Sequence, residues 1–251
     1  SISIVGTRRC TTYGRLSAER FSGYFARNNI VVCSGLAYGI DTIAHRSAIK
    51  AGGITYAVIA SGLDCISPST SKQLSEKILE EGGAIISEYR CSVKARPGYF
   101  PQRNRIISGI STATLVVESK VKGGSLITAK FALDQERYVF AIPGNISSPT
   151  SMGCNNLLRQ GAIPALSPEA VLEDLGFAPD KLYAQEKDKA EKIKSPMEKK
   201  IYNALNLEPV HIDELADKTG IDISELLILL LNLEFNDYIR QLPGKYYIRN
   251  E

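Results

Sequence analysis

The residues best suited to chemistry lie together in one short stretch, residues 96–105, with the sequence RPGYFPQRNR. Four side chains in this stretch could bind a polyanion: Arg96, Arg103, Asn104 and Arg105. The aromatic ring of Phe100 lies between two prolines in the same stretch. Guanidinium groups bind phosphate through paired hydrogen bonds, and an aromatic face accepts a stacked base. The combination is typical of a groove for single-stranded nucleic acid and not of an acid–base catalytic site.

Other candidate binding residues follow predicted strands, at the points where those strands end. Arg8 and Arg9 follow the first strand, Gly35 and Ala37 follow the second, and Lys122 follows the fifth. Glycine lets a ligand approach the backbone, and helix N-termini present unpaired N–H groups to anions. Because the carboxyl ends of parallel strands meet at one edge of a sheet, we expect these groups and residues 96–105 to form one phosphate-binding edge.

Short apolar runs alternate with helix-length segments through residues 1–175. Such runs, each followed by a helix, indicate an α/β fold: an extended Rossmann-like, doubly wound, mainly parallel sheet covered on both faces. The predicted strands are 2–5, 30–33, 55–59, 84–86, 114–117 and 138–142. The predicted helices are 14–28, 41–51, 70–81, 103–110, 125–135, 153–160 and 167–175.

The remaining chain predicts a charged linker and a second domain. Residues 176–195 are rich in Lys, Glu, Asp, Ala and Gln and indicate a solvated linker. Residues 196–251 indicate a small winged-helix-like domain, because three helices precede a two-stranded ribbon that turns at Pro243-Gly244. The predicted elements are helices 197–206, 212–219 and 222–235 and strands 238–241 and 246–248.

The third helix of this domain contains no Lys or Arg. A winged helix that reads DNA normally has a basic recognition helix, so we expect a protein-contact or regulatory module instead. Substitution of Leu227 or Leu230 is expected to unfold the domain and to leave single-strand affinity of residues 1–175 intact.

The net charge of +3 is unevenly distributed along the chain. Residues 1–150 carry 18 Lys and Arg against 10 Asp and Glu, whereas residues 195–251 carry 6 against 10. A polyanion is therefore expected to meet the N-terminal part first. No apolar run approaches ~20 residues, so neither a transmembrane helix nor a membrane partner is predicted. The chain starts directly with an apolar strand pattern, which leaves no room for a signal peptide and suggests either a truncated sequence or a protein whose earlier domain is missing.

The pattern of ligating and titratable residues favours neither a metal site, nor a cofactor, nor a catalytic centre. Five scattered cysteines without a C-x-x-C pair predict reduced thiols and a cytoplasmic location. Asp41 and His45 lie four residues apart on one helix, but helix capping and packing account for them better than catalysis. Glu88 and Glu118 are expected to form ion pairs with arginines. No G-x-G-x-x-G follows the first strand and no P-loop sequence occurs.

Ordered motifs over residues 2 to about 175 resemble the DNA-processing protein A family (DprA, also called Smf). The winged-helix-like tail is similar to the small C-terminal domain of many members. The motifs are IVGTR at 4–8, SGLAYGID at 34–41 with Ala44-His45, ISE at 86–88, FPQRNRII at 100–107, GSLITA at 124–129, IPG at 142–144, GCNNLL at 153–158 and Gly161-Ala162.

The resemblance implies a non-catalytic protein that binds and protects single-stranded DNA. It further implies a homodimer that delivers the strand to the RecA recombinase in natural transformation and homologous recombination. Family DNA contacts carry over to Arg8 or Arg9, to Gly35 and Ala37, and to Phe100 with its neighbouring cation.

Two departures from the family pattern stand out. Ser67-Pro68 replaces the usual Tyr-Pro, although Lys72 supplies a cation nearby. The helical domain that often precedes the Rossmann part is not in this sequence.

Two other functions compete with strand binding. One is a nucleotide or nucleoside-phosphate hydrolase on a related scaffold, but residues 122–128, KGGSLIT, lack the Pro-Gly-Gly-x-Gly-Thr pattern of those enzymes. The other is a transcription regulator that acts through the tail, which the acidic third helix disfavours.

Overall fold

The computed structural model describes residues 1–177, 193, 195–206 and 209–249. The chain divides into two compact units, Ser1–Pro179 and Asp180–Glu251. Most of the predicted linker, residues 178–192 and 194, lies outside the described residues. In the described ranges, no helix is both long enough and apolar enough to cross a membrane.

The first unit is built on a seven-stranded parallel sheet in the order β4-β3-β2-β1-β5-β6-β7. In register, Ile2 of β1 lies opposite Val32 on one side and Ala113 on the other. The chain winds outward from β1 to β4 and then returns to the other side of β1, so the direction of winding reverses between β1 and β5. The strands are β1 Ile2–Val5, β2 Val32–Ser34, β3 Thr55–Val58, β4 Ala84–Ile86, β5 Ala113–Val116, β6 Tyr138–Ala141 and β7 Ile163–Pro164.

Helices cover both faces of this sheet. Successive residues of β1 enter different apolar clusters: Ile4 packs with Phe25 and Phe140 on one face, and Val5 packs with Ile107 on the other. This is the burial that near-continuous apolar strands require, and it confirms the Rossmann-like prediction. The helices are α1 Thr12–Arg27, α2 Ile40–Lys50, a 3-10 turn Ser69–Ser71 leading into α3 Lys72–Glu80, α4 Tyr99–Gly109, α5 Ser125–Asp134, α6 Met152–Arg159 and α7 Pro168–Asp174.

Helix α4 starts four residues earlier than the sequence indicated. Pro101 was expected to lie in a loop before the helix, but it occupies the first turn, where a missing N–H costs no hydrogen bond. Phe100 therefore belongs to the helix and not to a loop between prolines. The strand β7 was not predicted, because two residues give no readable pattern.

The second unit is a winged helix, as predicted. Its helices surround a core that contains Ile201, Leu215 and Leu230, and Gly220 ends the second helix in the left-handed region at φ +65°. Its strands form an antiparallel sheet in the order β8-β10-β9. The elements are α8 Pro196–Ala204, β8 Val210–His211, α9 Ile212–Thr219, α10 Ile223–Phe235, β9 Ile239–Leu242 and β10 Tyr246–Arg249.

One expectation for this unit is wrong. Leu230 is buried in the core, but Leu227 is exposed on the outer face of α10. Leu227 therefore does not hold the domain together. The apolar run of α10 supplies two apolar faces, and only one of them packs in the core.

Candidate nucleic-acid interface

The loops that follow β1, β2 and β5 are tied together by backbone contacts at the carboxyl edge of the sheet. The N–H of Thr7 donates to the Glu118 carbonyl (2.9 Å), and the N–H of Ile40 donates to the Thr7 carbonyl (3.3 Å). Gly39 has φ +76°, and a Cβ there would lie 2.6 Å from the Arg8 carbonyl oxygen. Only glycine permits this approach, so the three loops hold one another in place at the switch between β1 and β5.

Glu118 organises the start of α1 and does not form the expected arginine pair. The buried carboxylate accepts hydrogen bonds from the Thr11 N–H (2.9 Å), the Thr11 hydroxyl (2.6 Å) and the Thr150 hydroxyl (3.2 Å). These donors satisfy the hydrogen-bonding capacity of the buried carboxyl group without a cation. Thr11 and Thr150 lie far from Glu118 in the sequence, so a local sequence pattern could not predict that they donate to it.

Arg103 lies inside the protein, which corrects the expectation of an exposed phosphate contact. Its side chain is 4% exposed, and Nη1 donates to the carbonyl oxygens of Gly35 (2.6 Å) and Val58. A Cβ at Gly35 would lie 2.7 Å from both Arg103 Nη2 and Asp41 Oδ2. Only glycine fits against Arg103 and Asp41 at position 35. Arg103 in turn stabilises the loop after β2 through its hydrogen bond to the Gly35 carbonyl.

Arg103 and Asp41 lie close together inside the protein, and each opposes the shift that burial causes in the pKa of the other. Burial lowers the pKa of Arg103 to about 10, and the Asp41 carboxylate opposes that shift. Burial raises the pKa of Asp41, while Arg103 and the N–H groups of Ala37 and Gly35 oppose the rise. The N–H of Gly35 donates to Asp41 Oδ2 (3.2 Å), so the carboxylate also fixes the loop directly.

The packing interpretation of Asp41 and His45 agrees with the geometry. Both side chains are buried, and His45 Nδ1 is hydrogen-bonded to the Thr55 hydroxyl (2.7 Å). That hydroxyl donates to the Val32 carbonyl, so Nδ1 carries the proton and donates to it. Burial, reinforced by Arg103, lowers the pKa of His45 to about 3, so the ring is neutral.

Arg8 and Phe100 come together at the edge, although 92 positions separate them. The guanidinium carbon of Arg8 lies over the Phe100 ring, 5.5 Å from its centroid. Arg8 is exposed and Phe100 half-buried, so the ring is partly open to a ligand. Arg9 is exposed beside them. A cation on an aromatic face gives a phosphate contact and a stacking surface in one place.

A second aromatic group stands beside this pair and was not among the expected site residues. The rings of Tyr89 and Tyr99 are stacked, with centroids 4.4 Å apart and an angle of 22° between planes. The guanidinium carbon of Arg96 lies 5.9 Å from the Tyr99 centroid. Tyr99 was visible in the sequence as the neighbour of Phe100, whereas Tyr89 comes near only because β4 leads towards α4.

The other cations of α4 are held by neighbours. Arg105 forms an ion pair with Glu88, as expected for that carboxylate, and its side chain is half exposed. Asn104 is half-buried, and its Oδ1 accepts a hydrogen bond from Arg103 Nε (3.2 Å). Arg105 therefore faces the surface, whereas Asn104 belongs to the internal support.

The remaining expected residues are spread along the same edge. Ala37 is half-buried in the loop after β2, and its carbonyl accepts from the Thr42 hydroxyl (2.6 Å). Lys72 is exposed at the start of α3, within 4.0 Å of Glu76. Lys122 is exposed in the loop before α5. Because the N-terminal ends of these helices follow strand ends, all three lie on the side of the sheet that carries Arg8 and Phe100.

Comparison with known proteins gives the family of the chain. The model of the family "DNA recombination-mediator protein A" matches residues 1–176, and the model "DprA winged helix domain" matches residues 185–245. The chain belongs to the DNA recombination-mediator protein A family. The resemblance in the sequence motifs is thereby confirmed.

Relatives within the DNA recombination-mediator protein A family resemble both the sequence and the fold. Protein Smf of Escherichia coli (strain K12) is 37% identical over 252 residues, which cover 98% of this chain and 67% of that protein. The X-ray structure of DNA processing protein A (DprA) from Streptococcus pneumoniae is 41% identical with a TM-score of 0.64, over 68% of this chain and 60% of that one.

A third relative has a solved structure that concerns a ligand. It describes the single-stranded DNA binding mode of DNA processing protein A from Helicobacter pylori. That protein is 28% identical, with a TM-score of 0.63 over 69% of this chain and 79% of that one.

Proposed function

We propose that this chain binds single-stranded DNA along the carboxyl edge of its sheet and acts by binding, without catalysis. The observation that carries the proposal is the Arg8 guanidinium over the half-buried Phe100 ring at the switch between β1 and β5. Phosphate would pair with the cation while a base stacks on aromatic surface. Membership of a DNA recombination-mediator family supports this.

The proposed DNA contacts fall into two groups. Groups that face solvent would touch the strand: Arg8, Arg9, Lys72, Arg96, Phe100, Arg105 and Lys122. Gly35 and Ala37 would present backbone to it, since a side chain at Gly35 would collide with the buried pair below. Arg103 and Asn104 would act indirectly, because their polar groups bond to the protein.

The direct test is fluorescence-anisotropy titration of labelled oligo-dT with the wild-type chain and with Arg8→Ala/Phe100→Ala. We expect the double variant to lose about 10- to 100-fold in affinity, because it removes one phosphate contact and one stacking surface. Lys50→Ala is the matched control, since Lys50 ends α2 and lies towards the opposite edge of the sheet. Its affinity should equal that of the wild type.

The same titration distinguishes the competing enzyme hypothesis. Equal affinities for the wild type and Arg8→Ala/Phe100→Ala would place the strand elsewhere on the molecule. A folded wild-type chain that binds no oligo-dT would favour a nucleotide or nucleoside-phosphate hydrolase, and a screen of nucleoside monophosphates for released base or phosphate would follow.

In the cell, we propose that the bound strand is protected and passed to the RecA recombinase in the cytoplasm, in natural transformation and homologous recombination. The support is the family itself, whose description names recombination mediation. The test is assembly of RecA on an oligonucleotide covered by single-strand binding protein, with and without this chain. A nuclease-protection assay on the same oligonucleotide tests protection. Equal RecA assembly in both samples would contradict the delivery step.

We further propose that the chain forms a homodimer through the surface around α5. An open groove there is lined by apolar side chains together with Lys122, Lys130 and Asp134, and Val121 and Ile127 are both exposed. Exposed apolar surface of this kind marks a protein contact. Light scattering should give a dimer mass for the wild type and a monomer mass for Ile127→Glu. An unchanged dimer in that variant would move the contact to another surface.

A further inference from the structure

The outer face of α10 is apolar and exposed, although its helix is the third of a winged helix. Phe235 is 90% exposed, Leu231 65% and Ile228 64%, and Ile223 and Leu227 are also exposed. Isolated exposed apolar residues are ordinary, but five large ones on a 13-residue helix form a contiguous patch. A patch of this kind marks an interaction site.

The five residues share one face because of their spacing. Counted from Ile223, they lie at positions i, i+4, i+5, i+8 and i+12, which repeat close to the helical period of 3.6 residues. A second face, adjacent to the stripe on its Ile223 side, holds Leu226, Leu230 and Leu233, all buried in the core of the unit. The core is thus complete without the outer face, and folding of this unit does not account for it.

Charges around the patch define what can cover it. By the helical period, Glu225 lies beyond the edge of the stripe that ends at Ile228, and Glu234 lies within the stripe near its Ile223 edge, where its Oε1 accepts a hydrogen bond from the Gln241 N–H (2.9 Å). Asp222 lies before the first turn and Asp237 after the last. Residues 222–237 contain no Lys or Arg. Nucleic acid and anionic lipid would both be repelled by this ring of carboxylates.

We propose that the outer face of α10 binds an amphipathic helix of a partner protein, with Lys and Arg beside its apolar stripe. Apolar residues of the partner would pack on Ile228, Leu231 and Phe235, while its cations would meet Glu225 and Glu234. Helix α10 is about 20 Å long, which matches a partner helix of three to four turns. A second copy of the same face would bring carboxylates against carboxylates and fits less well.

The probe is a synthetic amphipathic peptide of about four helical turns, with Leu at the apolar positions and Lys at the positions beside them. A matched peptide carries Glu in place of Lys. Both are titrated into the full chain by calorimetry, and hydrogen exchange then locates the protected segment. We expect saturable binding of the Lys peptide with protection of residues 223–235, and weaker binding of the Glu peptide by about 10-fold or more.

Two variants and one control test the face. Ile228→Ser/Leu231→Ser should weaken the Lys peptide by about 10-fold or more, because central apolar contacts dominate such interfaces. Glu225→Lys should weaken it by about 3-fold. Leu79→Ser removes an equally exposed leucine from α3 and should change nothing. All variants should keep the wild-type melting temperature of the second unit, since the changed side chains lie outside its core.

Four results would overturn the proposal. They are no saturable binding of the Lys peptide, equal binding of the two peptides, unchanged binding by the Ile228→Ser/Leu231→Ser variant, or self-association of the chain that this variant abolishes. The last result would assign the face to a second copy. Binding of the wild type to anionic vesicles that is lost in the same variant would assign it to a membrane and would count equally against the proposal. None of these results bears on strand binding at the sheet edge.

Discussion

The carboxyl edge of the sheet and the outer face of α10 are two exposed surfaces with opposite chemistry. The first carries Arg8, Arg9 and Arg96 beside aromatic rings, and the second carries leucine, isoleucine and phenylalanine within a ring of carboxylates. Winged helices commonly bind DNA through their third helix. Here the charge distribution favours the other unit as the site for a polyanion, so we expect surface charge to be a better guide to the partner of a domain than its fold.

The two regions also differ in what lies beneath them. Two buried polar side chains, Arg103 and Asp41, support the sheet edge, whereas an apolar core supports the face of α10. Perturbing each support therefore tests whether the two surfaces are independent.

The largest effect is expected at Arg103. Arg103→Ala removes the guanidinium that opposes the raised pKa of Asp41, and it leaves the buried carbonyls of Gly35 and Val58 without their donor. Removing one partner from a buried charged site typically costs about 3–5 kcal/mol. We expect a large loss of stability of the first unit with an unchanged second unit, measured by hydrogen exchange across residues 1–177 and 195–249. Arg105→Ala is the control: its pair with Glu88 is half exposed, so the loss should be about 1 kcal/mol or less. Equal losses in both variants would contradict the bracing role of Arg103.

Leu230 is the corresponding support in the second unit. Leu230→Ala creates a cavity beneath α10 and should destabilise that unit by about 2–5 kcal/mol. Leu227→Ala, on the outer face, should cost well under 1 kcal/mol. Oligo-dT affinity should be the same in both variants and in the wild type. A parallel loss of DNA affinity in Leu230→Ala would show that the units are not independent.

A smaller effect, confined to the first unit, follows from His45. Its folded pKa of about 3 lies below the ordinary value of 6.5, so between these values the unfolded chain binds a proton that the folded chain does not. Stability therefore falls as the pH falls below 6.5, by about 1.4 kcal/mol per pH unit, or about 2 kcal/mol at pH 5.

Urea denaturation at pH 7 and pH 5, followed through the first unit, measures this loss. His45→Gln keeps a polar group of similar reach without a titrating ring, so its stability should change less between the two values. Equal pH dependence in the variant and the wild type would assign the acid sensitivity to carboxylates elsewhere.

The sequence was sufficient for most of the helices and strands, but not for which side of a helix each arginine occupies. The apolar run Ile2–Val5 predicted β1 with its observed bounds, and Gly220 marked the turn before α10. Arg103 and Arg105 are two positions apart on α4, and only the packing of that helix turns one inward to Gly35 and the other outward to Glu88. The composition of residues 96–105 does not contain that distinction.

In the winged helix, too, the sequence does not show which face of a helix packs, here for apolar residues. The leucine-rich run of α10 predicted a helix correctly, yet it could not show that Leu230 packs while Leu227 does not. The helical period divides the apolar residues of α10 between two faces. Which of these faces packs in the core depends on α8 and β9, which lie elsewhere in the sequence. Strands of two residues, β7 and β8, lay below what a pattern can reveal.

The smallest expected effect is a change in the salt dependence of oligo-dT affinity, and it compares the two surfaces in a single measurement. In a salt titration of oligo-dT binding, each phosphate neutralised adds about 0.7 to the slope of log affinity against log salt for single strands. Arg8→Ala should therefore reduce the magnitude of the slope by about 0.7, because one counterion-releasing contact is lost. Glu225→Gln/Glu234→Gln removes two negative charges from the flanks of α10 and should leave the slope unchanged. A steeper slope in that double variant would mean that the DNA strand passes close to α10 and that the carboxylates of α10 normally repel it. The acidic residues would then direct the path of the DNA, and they would not form a binding site for a basic helix.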